Sequence, residues 1–514
     1  MIRRITLLAL TALASLSAAA EPLRAREWFV RAGAEGGDGS LAKPFADPWM
    51  ALGKCEAGDL IHVTGGKYYG KLSQGIWEIP FDNVQLIGGY DQEFKTRDPW
   101  TNRTELKWDE KSKNWPNQAR LKGLNCKGCV VDGITIDMKD SAKYTDETKT
   151  SRKDIPGVPD NAIEFNLPVT VRNCVIVNPA GSAIHAVGGS TIENNLIVNA
   201  LIFGVQINGT ETAVVRNNTM LFGWGFKEPG KGAYDGAFIK VNAPMTITNN
   251  IFAHSDSNSL YQPFTKMDKV SITKNVFHQN LYSNLFTFVE SKSLFIDDKN
   301  MGDLEELGLK AFDGNEVLNP EMAYDPAWLD LYSKRTAYVP GKVTMDDMNK
   351  LRQLAGLPVI AKGGTPALGI APAYDLDKAM ALMAPKNEKC KAGARKIPLE
   401  SRVTGAAAAA PAKEYPKGAL LDWSKASDTV SGKPMEMLVA VGNVANIQQM
   451  PKEYDKDKIL GFFLYDPEGK GERVTGFMMK GSNAERVCNG ATGRYDGRGK
   501  PDTCLLYTSD AADE

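Results

Sequence analysis

Histidine is scarce in this sequence, with 4 residues in 514. Of these, His62, His254 and His278 have no spacing that marks a metal site. Surplus charge is missing too. The 61 Lys and Arg residues balance 62 Asp and Glu, for a formal net charge of -1, so the chain carries no nucleic-acid footprint. After the N-terminus no apolar run is long enough to form a membrane-spanning helix. Within residues 161–288 there is no Asp-Asp pair of the kind an inverting glycosidase uses, and no compact acidic cluster that commits to Ca²⁺. Long helical patterns are few, whereas 48 glycines favour a turn-rich β architecture.

The two ends read as processing features. "MIRRITLLALTALASLSAAAEP" has a basic start at Arg3 and Arg4, an apolar run from Leu7 to Leu16 and an Ala-x-Ala site at Ala18–Ala20. That pattern predicts a secretory signal peptide over residues 1–20 and a secreted or periplasmic protein. Cys504–Glu514, "CLLYTSDAADE", resembles an in-frame translation of a sequencing adapter and is set aside from fold reasoning. The other cysteines are Cys55, Cys126, Cys129, Cys174, Cys390 and Cys488. The single CxxC, Cys126–Cys129, lacks the second pair of a zinc site. A local disulfide and two separately packed thiols both remain open for it.

One short phrase recurs five times: "VTVRNCVIVNP" at Val169, "STIENNLIVNA" at Ser190, "AVVRNNTMLFG" at Ala213, "MTITNNIFAHS" at Met245 and "VSITKNVFHQN" at Val270. Its second turn position reads Cys174, Asn195, Asn218, Asn250 and Asn275. The position before reads Asn173, Asn194, Asn217, Asn249 and Lys274. Alternating residues, a turn and a second apolar run mean strand, bend, strand. A second phrase lies between: "NAIEFN", "SAIHAV", "FGVQIN", "AFIKVN" and "SLYQPF". Two or more strands per period and no helix fit a coil that returns in the same direction each time. Equivalent positions then stack about 4.8 Å apart. Asn tolerates the left-handed bend, and stacked Asn amides can hydrogen-bond from coil to coil as a ladder.

The segments "WFVRAGAEGGDGSLAKPFADPWMAL", "AGDLIHVTGGKYYG" and "VQLIGGYDQEFKTRDP" precede the repeats. With them, Glu27–Phe288 resembles the right-handed parallel β-helix proteins of the pectate-lyase-like superfamily. The resemblance implies an all-β solenoid over residues 21–300, with an N-terminal cap that includes a short helix after "KPF". Residues 301–400 then form a closing segment with short helices. One is expected from Thr344 to Gly356 and another after Asp375 or Asp377. Residues 405–416 read as an Ala/Pro linker. Residues 417–503 read as a small, truncated β-rich module.

The chemistry is sought on one outer face. Aligning the second phrase on its polar centre gives the column Glu164, His185, Gln206, Lys240 and Gln262, flanked by inward Ile163, Ile184, Val205 and Ile239. A row two residues on holds Asn166, Asn208 and Asn242. A sugar repeat of about 5 Å matches the coil spacing of about 4.8 Å, so the face suits a linear polysaccharide. Amides meet hydroxyls, and Lys240 or His185 meets carboxylates. The insertion "GWGFKEPGKGAYDG" adds Trp224, Phe226 and Tyr234 as stacking surfaces, with Lys227, Lys231 and Asp235 as charges. The resemblance implies a lyase that cleaves a uronate-containing glycan by β-elimination, with Lys240 first and His185 second as candidate base and Ca²⁺ as a possible cofactor, and a monomer is expected. The competing expectation is a non-catalytic β-helix that binds glycan or a protein partner.

Overall fold

The computed structural model describes residues 25–109, 111–112, 118–141, 161–179, 181–200, 202–223, 236–255, 257–262, 266–280, 283–289, 292–336, 346, 359 and 373–403, then five strands between 420 and 507. The expected signal peptide, the 344–356 helix (residue 346 apart), the 405–416 linker, Trp224, Phe226, Lys227, Lys231, Tyr234 and Asp235 lie outside the described residues. The chain divides into two units, Met1–Ala408 and Ala409–Glu514.

The first unit is a β-solenoid. Each coil visits three sheets in turn, as in Val169–Arg172, Val175–Val177 and Ser182–Val187, before Thr191–Glu193 rejoins the first sheet. Every sheet has nine strands, and each strand pairs with the equivalent strand of the next coil. The pairings are parallel except for the last, where Lys292–Ile296 runs antiparallel to Ser283–Val289. Inward columns build the core. Val131, Val171, Ile192, Val215, Ile247 and Ile272 come from the first sheet, and Ile163, Ile184, Val205, Ile239 and Leu260 from the third; all are buried.

The recurring turn sits between the first and second sheets. Its first residue is left-handed each time: Asn173, Asn194, Asn217, Asn249 and Lys274 have φ of 53–58°. Its second residue is buried and forms the ladder. The Oδ1 atoms of Asn195, Asn218, Asn250 and Asn275 accept the backbone N–H of Cys174, Asn195, Asn218 and Asn250, at 2.9–3.0 Å. Their Nδ2 atoms donate to the carbonyls of Val171, Ile192, Val215 and Ile247, at 2.9–3.0 Å. Asn315 extends the series by accepting from Asn275 N at 3.1 Å, across an excursion of 40 residues. One amide therefore satisfies a donor in the coil before it and an acceptor on the neighbouring strand, with no water needed.

The helix expected after "KPF" is present at Pro48–Leu52. Asp47 caps it by accepting from Trp49 N at 3.1 Å, and Pro48 occupies its first turn. The helix after Asp375 is Leu376–Met380, with Asp375 accepting from Lys378 N at 3.0 Å. Another helix, Pro326–Thr336, contributes Trp328 and Tyr332 to a cluster over the far end of the second sheet. There a second run of left-handed residues, Asn178, Asn199, Phe222, His254 and Gln279, ends each strand. His254 stacks on Phe222 with centroids 5.3 Å apart, and burial lowers its pKa to about 3, so its imidazole is neutral.

The CxxC question resolves to two buried thiols. Cys126 Sγ donates to Ile79 O and Cys129 Sγ to Phe81 O, each at 3.3 Å. The second unit is a five-stranded sheet of Leu420–Ser427, Pro434–Val441, Ile459–Tyr465, Val474–Lys480 and Leu505–Tyr507, with one parallel pair, the second strand on the third. Its last strand falls in the adapter-like segment.

The ladder gives a direct test. Asn218→Ala strands the N–H of Asn195 and the carbonyl of Ile192 in a dry interior, and is expected to lower the unfolding free energy of the solenoid by about 3 kcal/mol. Lys274→Gly at a left-handed turn position is expected to be neutral or stabilising. Denaturant unfolding of both variants checks the contrast.

Candidate functional site

The third sheet carries the expected column. Its strands alternate, so with Ile163, Ile184, Val205 and Ile239 turned inward the residues that follow them face out. Backbone register places Glu164 beside His185, His185 beside Gln206, and Gln206 beside Lys240. The four predicted side chains are therefore brought together on one face, a strand spacing apart.

Gln262 does not join them. The neighbour of Lys240 is Tyr261, because Leu260 pairs with Ile239 and takes the inward position. Gln262 is buried, and its Oε1 accepts from Thr287 Oγ1. Shifting a strand by one residue exchanges its faces. Aligning "SLYQPF" on its polar residue produced that shift, and Leu260 is the signal that corrects it. The column also runs further than the repeats indicated. Lys122 pairs with Glu164, Glu78 with Lys122, and Phe286 with Tyr261. The seven steps from Glu78 to Phe286 span about 34 Å.

Charges along the column are unevenly committed. Lys122 Nζ is 2.8 Å from Glu78 Oε2. Glu164 Oε2 accepts from Asn161 Nδ2 at 3.0 Å, and its Oε1 lies 4.0 Å from His185 Nδ1. Lys240 Nζ rests 5.1 Å from the centre of the Phe203 ring and has no carboxylate partner among the described residues. Among the described residues of this column it is the cation with no carboxylate beside it. Beyond it Tyr261 and Phe286 stack nearly parallel at 5.3 Å, and Phe295 stacks on Phe286 at 4.6 Å. These rings form a packed aromatic stack at the end of the column, with Phe286 buried between the other two.

The second row is real in part. Asn242 Nδ2 donates to Asn208 Oδ1 at 3.0 Å, and Asn208 Nδ2 lies 3.0 Å from His185 Nε2. Val187 holds the equivalent place beside Asn208. Asn166 is exposed and stands outside this chain of amides. An amide donor at Nε2 leaves the imidazole proton on Nδ1, facing Glu164. Burial holds the His185 pKa below the ordinary value; the Glu164 carboxylate raises it, and the Lys240 charge lowers it again. His185 is thus a neutral imidazole at neutral pH, with its acceptor nitrogen engaged by Asn208.

Among the described residues no three His, Cys, Asp or Glu side chains are grouped to hold a metal ion, and no helix is long and apolar enough to cross a membrane. No protein-family model matches this chain, and no curated protein matches it.

The electrostatics of the column are measurable. Labelled-histidine NMR is expected to show His185 titrating below 6.5. Its pKa is expected to rise in Lys240→Ala, which removes a neighbouring positive charge, and to fall further in Glu164→Gln, which removes the stabilising carboxylate. Identical titrations in all three proteins would mean that these side chains do not share a face.

Proposed function

We propose that this chain is a secreted or periplasmic protein that holds a linear, uronate-containing polysaccharide along the outer column of its third sheet. The observation that supports this most is Lys240, an ammonium without a carboxylate among the described residues, set between Gln206 and Tyr261 in the outward column. A uronate carboxylate is a charge-matched partner for this cation. Gln206 offers an amide to sugar hydroxyls one step away, and Tyr261 follows Lys240 on the other side of the column. Three parallel sheets with a buried Asn ladder at one turn also support placing the solenoid with the right-handed pectate-lyase-like proteins.

Cleavage by β-elimination is the more specific reading, favoured by the neutral state of His185 on the same column. A base takes the proton α to the carboxylate, the electron pair becomes the new carbon–carbon double bond, and the glycosidic oxygen leaves and takes up a proton. Lys240 and His185 are the two candidate bases. They lie two steps apart, about 10 Å, so each serves a different sugar. For His185 to act, the substrate must displace Asn208 from Nε2. A glycan-binding solenoid without catalysis needs no such exchange.

Binding and cleavage are separated by one panel. The purified protein is titrated with pectate, alginate and glycosaminoglycans, with and without calcium, while the absorbance of new unsaturated uronates is followed. An acidic glycan is expected to bind, and Lys240→Ala to weaken it about tenfold, the worth of one charge-assisted contact. Lys310→Ala, exposed on another face, should leave it unchanged. Absorbance growth lost in Lys240→Ala or His185→Ala identifies the base. Binding without absorbance assigns the non-catalytic role, and no binding to any acidic glycan rejects the proposal.

A further inference from the structure

A cleft lies along the first sheet and its turn row, away from the third-sheet column. The segment 393–402 crosses the solenoid as a strap. Gly393 N donates to Asn249 O at 2.9 Å, and Ala394 N to Thr219 Oγ1 at 2.9 Å. Arg395 exchanges two bonds with the Asn194 side chain, at 2.7 and 3.1 Å. Farther along, Leu399 bridges to Arg97, and Arg402 N reaches Tyr90 Oη at 3.3 Å. Between strap and solenoid is a cleft of about 630 Å³. It runs from Asp132 to Asn249, four strand steps or about 19 Å. That volume is in the range of small-molecule sites.

The charge in this cleft is unbalanced. Arg97, Arg172, Arg395 and Arg402 line it against Asp132, Glu193 and Glu400. Asp132 is already neutralised, since it pairs with Arg97 and accepts from Arg172 Nε at 2.7 Å. Glu193 is held by Arg216 at 2.6 Å, from outside the lining. Arg395 and Arg402 form no ion pair with a carboxylate among the described residues. Arg395 Nη2 donates to Cys390 O and Ala392 O, and Arg402 Nη1 to Gln85 Oε1, all neutral acceptors at 3.0–3.3 Å. Burial and the positive charge of Arg172 push the Arg402 pKa down, against the pull of Asp132, as expected where cations crowd. Asn217 and Asn249 add amides to the same wall, linked to each other at 2.6 Å.

We infer that this cleft binds a small organic carboxylate, with Arg395 and Arg402 supplying guanidinium contacts and the amides of the turn row meeting hydroxyls. Glu400, exposed at the rim, opposes the ligand and limits its affinity. The inference does not rest on the polysaccharide reading, because none of these residues belongs to the third sheet.

Calorimetric titration of the full chain tests it with citrate, galacturonate and uncharged galactose. Citrate or galacturonate is expected to bind and galactose not. Binding of citrate alone assigns a polycarboxylic acid, and binding of galacturonate assigns a sugar acid. Arg395→Gln and Arg402→Gln should each weaken binding about tenfold, whereas Glu400→Gln should tighten it a few-fold. Glu400→Gln changes an exposed side chain, so its gain cannot come from lost folding. Failure of both anions to bind, equal binding of galactose, or unchanged affinity in the two arginine variants would overturn the inference. Loss of glycan binding in Lys240→Ala has no bearing on it.

Discussion

The solenoid depends on a buried amide that must bond across coils. At the turn between the first and second sheets the chain bends within two residues, and the backbone N–H of the second residue points toward the next coil. The Asn amide of the following coil accepts it and donates to a strand carbonyl. A slip of one residue along the chain would strand both groups in the interior, each at a cost of about 1–3 kcal/mol. Summed over successive coils, that penalty fixes the register of the first and second sheets, whose strands adjoin the turn directly.

Register then turns a repeated phrase into a surface. Glu164, His185, Gln206 and Lys240 are 21 to 34 residues apart in the chain, yet they occupy adjacent rungs. The column owes its chemistry to differences between coils rather than to the repeat. Glu78 and Lys122 neutralise each other, and Glu164 faces a neutral imidazole, while Lys240 sits over a ring. The wall of the first sheet follows the same logic, where Asp132, Arg172, Glu193 and Arg216 stack with alternating sign. The strap brings two more arginines to that wall.

What the sequence disclosed follows from sequence distance. The turn residues and the inward columns were legible because each is a local pattern repeated at near-constant intervals, and both appear as expected, the turns at Asn195, Asn218, Asn250 and Asn275 and the columns at Ile163, Ile184, Val205 and Ile239. Asp47, Pro48 and Asp375 marked their helices through capping chemistry that needs only near neighbours. Gln262 was misplaced because polarity was weighed above alternation, when Leu260 opposite Ile239 decides the face. Glu78 and Lys122 were missed because their coils carry no copy of the phrase. The cleft was illegible for a different reason: Arg395 meets Asn194 across 201 residues, and no periodicity announces a strap.

One residue of each coil stacks on its counterpart, which puts Gln206 beside Lys240. Paired cysteines read this directly. Neighbouring parallel positions have Cα atoms about 4.8 Å apart, inside the range a disulfide spans, while a partner two residues farther along lies about 8 Å away, outside it. Mild oxidation of Gln206→Cys/Lys240→Cys is expected to give an intramolecular bridge, and Gln206→Cys/Asn242→Cys none. A bridge in the second protein and not in the first would place the strands in another register and contradict the account.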